Sequence, residues 1–285
     1  MVGGENEMEV RFRLGGVCWR VDVARPRELG IALDFYGAQP EAYGMPKARA
    51  EAVRGGSFVG DRREGGSVNC ERIELIAHGN GTHTEGVGHL TKERIYVGDL
   101  AGELFVPATL LTVESVRLGG SKEHYQGEFQ PEDDVITAEG LEGAWVAAGG
   151  RIEFARALVI RLERKKGVFE GPKEKHSGRN RPYFTSPAME WIRRSGCDHL
   201  LVELPSVDRE EDGGRLPNHH RFFGLEPDGE AGEESRRRTI TEMIEVGADL
   251  RDGYYALSLR FPRFMQDAAP SRPVLYGLEG GGLEK

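Results

Sequence analysis

The sequence predicts an α/β protein with a mixed β-sheet, and three observations lead to this class. Apolar, β-branched segments recur along the chain, two helical segments alternate with them in the middle, and the flanking regions contain strands without helices. The chain has 285 residues, which is enough for one large domain or two modest ones with well-buried cores. No repeat with a period of about 20 to 50 residues interrupts this pattern.

The predicted strands are apolar runs bounded by polar or glycine-rich turns. They cover residues 72–78, 105–116, 157–162, 200–204, 239–246 and 255–261. Shorter apolar pieces at 17–23 and 31–35 lie between polar stretches. Residues 1–70 are therefore expected to form short strands and long loops.

Two helices are predicted between the central strands. The first begins after Thr137, which can cap it, carries Leu141, Trp145 and Ala148 at helical spacing, and ends at glycines 149 and 150. The second extends from Pro187 to Gly196, since proline suits the first turn of a helix and glycine the position after its end. Its apolar side contains Ala188, Trp191 and Ile192. We interpret both tryptophans as core residues.

Composition argues against several classes of protein. The formal net charge is −9, whereas nucleic acids and anionic membranes attract basic surfaces. No apolar run approaches the roughly 18 residues of a membrane span, and the first 14 residues do not have the pattern of a signal peptide. The three cysteines form no CxxC pair, so we expect neither a disulfide framework nor a thiolate zinc site, and interpret them as small buried residues. These features indicate a soluble, cytoplasmic protein.

Two polar segments interrupt the regular pattern. Residues 161–181 contain eight Lys or Arg against three Glu, and we interpret them as a mobile basic loop, solvated or closing over a site. A nucleic-acid patch is the less favoured alternative for this segment, because the chain as a whole is acidic. Residues 224–235 form a second polar loop.

A group of histidines indicates a candidate site. His78, His83 and His89 lie within twelve residues of one another together with Glu85. In an extended segment, His83 and Glu85 point to the same side, and the surrounding glycines allow tight turns that bring the other two histidines close. Imidazole and carboxylate ligands suit Zn²⁺, Mn²⁺ or Fe²⁺. The alternative is that these are ordinary hydrogen-bonded loop histidines.

Glu242 is a further candidate from a distant segment. It shares its strand face with Ile240, Ile244 and Val246, so its carboxylate is expected among apolar side chains. A buried carboxylate is costly unless it is paired or binds a metal ion. The alternative is an edge strand from which Glu242 reaches solvent or an arginine.

These residues resemble the cyclase-type metal-dependent hydrolases, a family that includes kynurenine formamidase and isatin hydrolase. The family signature is H-x-G-T-H-x-D-x-P-x-H, and its second half matches Gly81-Thr82-His83-x-Glu85-x-x-x-His89. The resemblance continues in the family's order through about residues 70 to 276. Its later landmarks are Pro205-Ser206-Val207-Asp208, Leu216-Pro217-Asn218-His219, Thr241-Glu242 and Asp267-Ala268-Ala269-Pro270-Ser271-Arg272-Pro273.

The resemblance implies one compact domain over residues 1–285, of the swivelling β/β/α type, assembled as a homodimer or larger homo-oligomer. It also implies one or two divalent ions, Zn²⁺ or Mn²⁺. By position, His83, Glu85 and His89 match the ligands of the first motif. His219 and Glu242 match the later ligands, and Asp208 lies in a turn that we interpret as shaping or supporting the site.

Three departures from the signature affect this assignment. Its first histidine matches Gly79, while His78 stands one residue earlier; its aspartate is Glu85 and its proline is Val87. One hypothesis is that His78 and the longer glutamate compensate for each other in a shifted but complete site. The other is that the first metal position is lost. His220 is the alternative ligand if the match at His219 is off by one.

The resemblance implies hydrolysis of an amide C–N bond by a metal-activated water, with His89 or Glu242 transferring the proton to the leaving nitrogen. Arylformamides such as N-formylkynurenine, and cyclic imides or lactams, fit this chemistry. The competing hypothesis, motivated by the three departures, is a non-catalytic or metal-free family member that binds a small molecule.

Overall fold

The computed structural model describes residues 9–100, 102–171, 173 and 175–280. Most of the N-terminal segment tested for a signal peptide, both ends of the predicted 1–285 domain, and residues 172 and 174 of the basic segment lie outside this range. The strands in chain order are β1 Val10–Leu14, β2 Val17–Val21, β3 Arg27–Glu28, β4 Arg49–Ala52, β5 Arg54–Gly55, β6 Phe58–Val59, β7 Glu71–Glu74, β8 His83–Gly86, β9 Val106–Val113, β10 Val116–Arg117, β11 Asp134–Ile136, β12 Ala157–Leu162, β13 Tyr183–Phe184, β14 His199–Val202, β15 Thr239–Glu242, β16 Gly253–Arg260, β17 Ala268–Pro270 and β18 Arg272–Gly280. The α-helices are α1 Ala77–Asn80, α2 Ala138–Ala147, α3 Ser186–Arg194, α4 Pro217–Phe223 and α5 Glu233–Arg237.

A large mixed sheet organises the molecule. Its strand order is β1-β2-β18-β16-β9-β12-β14-β15-β8-β17, and β3 pairs with β18 outside this path. The four strands β9, β12, β14 and β15 are parallel to their neighbours in this group, while the strands on either side of them run antiparallel. The predicted α/β class with a mixed sheet is confirmed.

Apolar side chains cover both faces of the parallel strands. Leu158 and Ile160 of β12 join a core with α2, α3 and α4, whereas Ala157 and Val159 of the same strand join a second core on the opposite face. Strands buried on both faces have continuous apolar sequences. This burial explains why residues 157–162 could be predicted as a strand.

The two long helices begin and end within two residues of their predicted bounds. The Thr137 hydroxyl accepts a hydrogen bond from Gly140 N at 3.1 Å and caps α2. Thr185 caps α3 in the same way, Pro187 lies in the first turn, and Gly196 beyond the end has φ of 84°. Trp145 and Trp191 pack against each other beside the core, with ring centroids 6.1 Å apart, as expected.

Several predicted strands are shorter in the structure. The strand predicted over 72–78 ends at Glu74, and His78 lies on the helical turn α1, where the Asn80 side chain accepts a hydrogen bond from Ile76 N at 2.6 Å. The strand predicted over 239–246 ends at Glu242 because Met243 adopts φ of 53°. The polar loop over 224–235 also differs, since α5 begins inside it at Glu233.

The basic segment is largely exposed in its described part, as expected for a solvated loop, but it is anchored to the protein at several points. Phe169 is fully buried, with the Arg164 guanidinium 5.1 Å from its ring. Arg164 also donates two hydrogen bonds to the buried Glu203 carboxylate. Lys175 pairs with Glu41 at 2.9 Å.

The cysteines follow the prediction only in part. All three are free thiols, so no disulfide forms. Cys197 is buried, but Cys70 is exposed and Cys18 is intermediate, which corrects the expectation that all three are core residues. Among the described residues, no helix is long and apolar enough to cross a membrane.

Candidate metal centre

The candidate site lies where the parallel strands β14 and β15 end. Glu242 is the last residue of β15, and it pairs with His83, the first residue of the antiparallel strand β8. Strand β8 is covered on its other side by β17 and is buried throughout. The alternation of side chains along β8 places His83 and Glu85 on one face, as predicted.

His83 and Glu242 meet inside the protein. Nδ1 of His83 donates a hydrogen bond to the Gly81 carbonyl at 3.0 Å, which leaves Nε2 with a lone pair. That Nε2 atom lies 3.4 Å from a carboxylate oxygen of Glu242. Both side chains are almost completely buried. The alternative of a solvent-facing Glu242 is therefore wrong.

His219 reaches the same point from α4. Its Nδ1 donates to the Asp208 carboxylate at 2.6 Å, and Asp208 also accepts the backbone N–H groups of Asn218 and His219. Asp208 thereby holds both the helix start and the imidazole ring. Nε2 of His219 lies 3.1 Å from Glu85 Oε1 and 3.6 Å from Glu242 Oε1.

The remaining two histidines form the more exposed side of the cluster. Nδ1 of His78 lies 3.0 Å from Glu85 Oε2, and Nε2 of His89 lies 4.0 Å from the same oxygen. Both rings also contact Asp267, and their centroids are 4.2 Å apart. Side-chain exposure is 22% for His78 and 26% for His89, so this side faces the solvent.

The donor atoms fit a divalent cation. His83 Nε2, Glu85 Oε1 and Glu242 Oε1 are buried and have no hydrogen-bond donor or acceptor that satisfies them. Imidazole lone pairs directed at carboxylate oxygens repel each other unless a positive charge lies between them. Within the described part of the chain, three groups have ligand atoms close enough to share an ion: His78, His83 and Glu85; Glu85, His219 and Glu242; and His78, His89 and Asp267.

The shifted pKa values in the cluster also indicate that its carboxylates favour a positive charge beside them. Burial lowers the pKa of His78, but the carboxylates of Asp267 and Glu85 outweigh burial and raise it to about 10. Burial opposes protonation of His219 as well, yet Glu85 and Asp208 raise its pKa well above the usual value. Burial alone would raise the pKa of Glu85, but His89 and His219 hold it well below the usual range. Protons on the imidazoles and a bound cation would balance the same carboxylates.

The structure brings together all six residues singled out in the sequence, namely His78, His83, Glu85, His89, His219 and Glu242. His220, the alternative to His219, points elsewhere and donates to the Leu225 carbonyl at 2.9 Å. Sequence reasoning missed Asp267 as a site residue, although it begins the Asp267-Ala268-Ala269-Pro270 landmark. Its place at the start of that landmark was the one signal in the sequence, and no neighbouring histidine or carboxylate strengthened it.

Comparison with known families identifies the chain. Residues 20–209, two thirds of the sequence, match the Cyclase family, whose description is "Putative cyclase". The matched segment contains the first histidine motif and ends just after Asp208. A search among curated proteins gives no match.

Solved structures share the fold at low sequence identity. They include isatin hydrolase A from Ralstonia solanacearum, with 16% identity, a TM-score of 0.57, and coverage of 88% of this chain and 91% of that one. An isatin hydrolase bound to the product analogue thioisatinate has 14% identity, a TM-score of 0.56, and coverage of 90% and 93%. A structure described as a predicted metal-dependent hydrolase from Bacillus stearothermophilus has 13% identity, a TM-score of 0.54, and coverage of 88% and 98%. The fold resemblance expected from the sequence is confirmed, and the chain belongs to the cyclase family.

Proposed function

We propose that this protein is a metal-dependent hydrolase that cleaves an amide C–N bond in a small molecule. One observation carries the proposal: His83, Glu85 and Glu242 each place a buried ligand atom in the same cluster, and none of these three atoms has a hydrogen-bond partner. Such atoms are costly unless a hydrogen-bond partner or a bound cation satisfies them, and three of them in one cluster of imidazoles and carboxylates favour a cation. The family match and the metal-dependent hydrolase among the structures of the same fold support the reaction class.

The cation would be held by Glu85, His219 and Glu242, with His83, His78 and His89 around them. The mixture of imidazole nitrogens and carboxylate oxygens suits Zn²⁺ or Mn²⁺. Glu85 belongs to two of the three groups of ligand atoms, so the cluster could hold one ion or two ions that share Glu85. When bound, a divalent cation lowers the pKa of a water molecule and polarises a carbonyl group.

The protein's own residues would manage the substrate and its proton. Water would attack the amide carbon from the partly exposed side near His78 and His89, and the C–N bond would break as the leaving nitrogen accepts a proton. His89 is the better placed of the two proposed proton carriers, because its ring reaches the solvent-facing side while Glu242 is buried. The buried Glu242 carboxylate would help to hold the cation from the interior side of the site.

The substrate class is proposed from chemistry and from similarity. Arylformamides such as N-formylkynurenine and cyclic imides or lactams contain the bond that this site would cleave. Thioisatinate bound to an isatin hydrolase of the same fold favours the cyclic class. We further propose one domain over residues 1–285, a homodimer or larger homo-oligomer, and a cytoplasmic location.

A second candidate function is binding of a small molecule without catalysis. The observation that favours it is the replacement of the signature histidine by Gly79. A Cβ atom there would lie 2.5 Å from the Met45 sulfur, so a histidine at position 79 would require Met45 to move. His78 and the longer Glu85 side chain, 3.0 Å apart, support the shifted-site hypothesis instead.

Substitution of Glu85 tests the hydrolase proposal. Glu85→Gln keeps the shape of the side chain but removes the charge nearest three histidines, so we expect loss of bound metal and at least a hundredfold loss of imide or arylformamide hydrolysis, about 3 kcal/mol of transition-state stabilisation. Glu74→Gln is the matched control, because Glu74 is an exposed glutamate paired with Arg49. Metal content and hydrolysis that survive in Glu85→Gln would contradict the proposed site. Metal binding by the wild type without hydrolysis of any imide, lactam or arylformamide tested would favour the binding function.

A further inference from the structure

Asp267 occupies a fixed position at the solvent-facing side of the cluster. Its backbone carbonyl accepts a hydrogen bond from Gly86 N at 2.9 Å, which ties it to the end of β8. Gly88 packs closely beside it, since a Cβ atom there would lie 3.4 Å from the Asp267 Cβ and 2.0 Å from the Ile95 carbonyl oxygen. The backbone therefore places this carboxylate between α1 and the turn that carries His89.

One oxygen of Asp267 contacts two imidazole rings. Oδ2 lies 2.9 Å from Nε2 of His78 and 3.1 Å from Nδ1 of His89. An ionised carboxylate can only accept hydrogen bonds, so each ring donates from that nitrogen. The other nitrogen of each ring, Nδ1 of His78 and Nε2 of His89, faces Glu85 and would offer its lone pair to a cation bound there after losing its proton.

The same arrangement recurs at the two buried histidines. His83 donates from Nδ1 to the Gly81 carbonyl and His219 donates from Nδ1 to Asp208. All four histidines therefore hold one ring nitrogen in a hydrogen bond to a fixed oxygen and direct the other toward the carboxylates of Glu85 or Glu242. Oxygen acceptors of this kind fix the tautomer and orientation of metal-binding histidines.

We propose that Asp267 is a positioning residue that orients His78 toward a cation held at Glu85 and fixes the His89 ring beside it. This inference rests on the proposed metal-dependent function. His78 is on a short helical turn, one residue before the position that the family signature assigns to its first histidine. Its ring needs an anchor outside that turn, and the Asp267 carboxylate supplies it. The Asp267 carboxylate thus fixes the ring orientations of both His78 and His89.

Cobalt titration tests the proposal, because Co²⁺ replaces Zn²⁺ and its visible spectrum reports ligand geometry. Asp267→Ala removes both hydrogen bonds, and we expect binding roughly 10- to 100-fold weaker, with an altered spectrum and an unchanged number of ions per chain. Asp267→Asn keeps one acceptor oxygen and should lose less affinity. Asp228→Asn, which changes an exposed aspartate paired with Lys92, is the control and should behave like wild type.

The outcomes separate this inference from the function on which it rests. Wild-type affinity and spectrum in both Asp267 variants would overturn the positioning role while leaving the metal site intact. Loss of a whole equivalent of Co²⁺ in Asp267→Ala would also overturn it, because Asp267 would then be a ligand. Absence of Co²⁺ binding by the wild type would contradict the proposed function itself. Thermal unfolding of the metal-free variants establishes that they are folded. If Asp267→Ala does not fold, the near-isosteric Asp267→Asn is used for the test.

Discussion

At the scale of single residues, Glu85 joins the parts of the candidate centre. One of its oxygens faces His219 and the other faces His78, at 3.1 and 3.0 Å. The side chain is 1% exposed, so its carboxylate lies out of reach of the bulk solvent. The extra methylene relative to the aspartate of the family signature carries the carboxylate to both histidines. This reach explains how a departure from the signature is compatible with a complete set of ligand atoms.

His199 gives a residue-scale prediction that is independent of the metal centre. Burial lowers the pKa of His199 to about 4, whereas a histidine in an unfolded chain has a pKa of about 6.5. The folded state therefore resists a proton that the unfolded state accepts. The stability that neutral His199 contributes is present above pH 6.5 and is lost as the pH falls toward about 4, up to roughly 3 kcal/mol.

Replacing His199 should make the free energy of unfolding depend less on pH in the acidic range. His199→Asn retains a group that can hydrogen-bond Thr239 but does not titrate in this range, so it should lose less free energy of unfolding between pH 7 and about pH 5 than wild type. Urea unfolding at both pH values measures the difference, with exposed His124→Asn as the control. Equal losses in wild type and His199→Asn would contradict the assignment.

The residues of the site were predictable where chemistry-bearing types cluster in the sequence. His83, Glu85 and His89 stand together in glycine-rich sequence, and Glu242 interrupts an apolar pattern. Asp267 lacked such a signal, because a single aspartate before a short strand is ordinary in sequence. Its role depends on β17 pairing with β8, a contact across 180 or so residues that no local pattern encodes.

At the scale of elements, α2 and α3 follow local helix rules that can be tested by replacing a glycine in each region. Gly196 follows α3 with φ of 84°, where a Cβ atom is strained, so Gly196→Ala should destabilise the protein by about 1 kcal/mol. Gly143 is exposed within α2, and a Cβ atom there would meet no neighbour within 4 Å. Gly143→Ala should therefore stabilise by about 0.5 to 1 kcal/mol. Denaturant unfolding measures both, and changes of the same sign would contradict this account.

Elements governed by tertiary contacts were predicted less well. The apolar run after Glu74 does not continue as a strand because Ile76 and Asn80 close the turn of α1. The run after Glu242 stops because Met243 adopts a positive φ. Both interruptions lie next to the candidate centre. Local apolar periodicity reports burial on a sheet face but carries no information about a turn that a site requires.

At the scale of the whole molecule, the sheet brings together residues from four distant parts of the chain. β8 contributes His83 and Glu85, α4 contributes His219, β15 contributes Glu242, and the residue before β17 is Asp267. Antiparallel pairing of β8 with both β15 and β17 converts these separate segments into one cluster. The buried parallel strands give that cluster a rigid support.

The metal content per chain shows whether the histidine and carboxylate cluster is a metal centre. Plasma mass spectrometry should be applied to protein purified without a chelator and without a histidine tag. We expect one or two equivalents of zinc or manganese, because a bound cation would satisfy the buried carboxylate oxygens and the imidazole nitrogens together. A folded chain that remains empty after dialysis against both metals would contradict it.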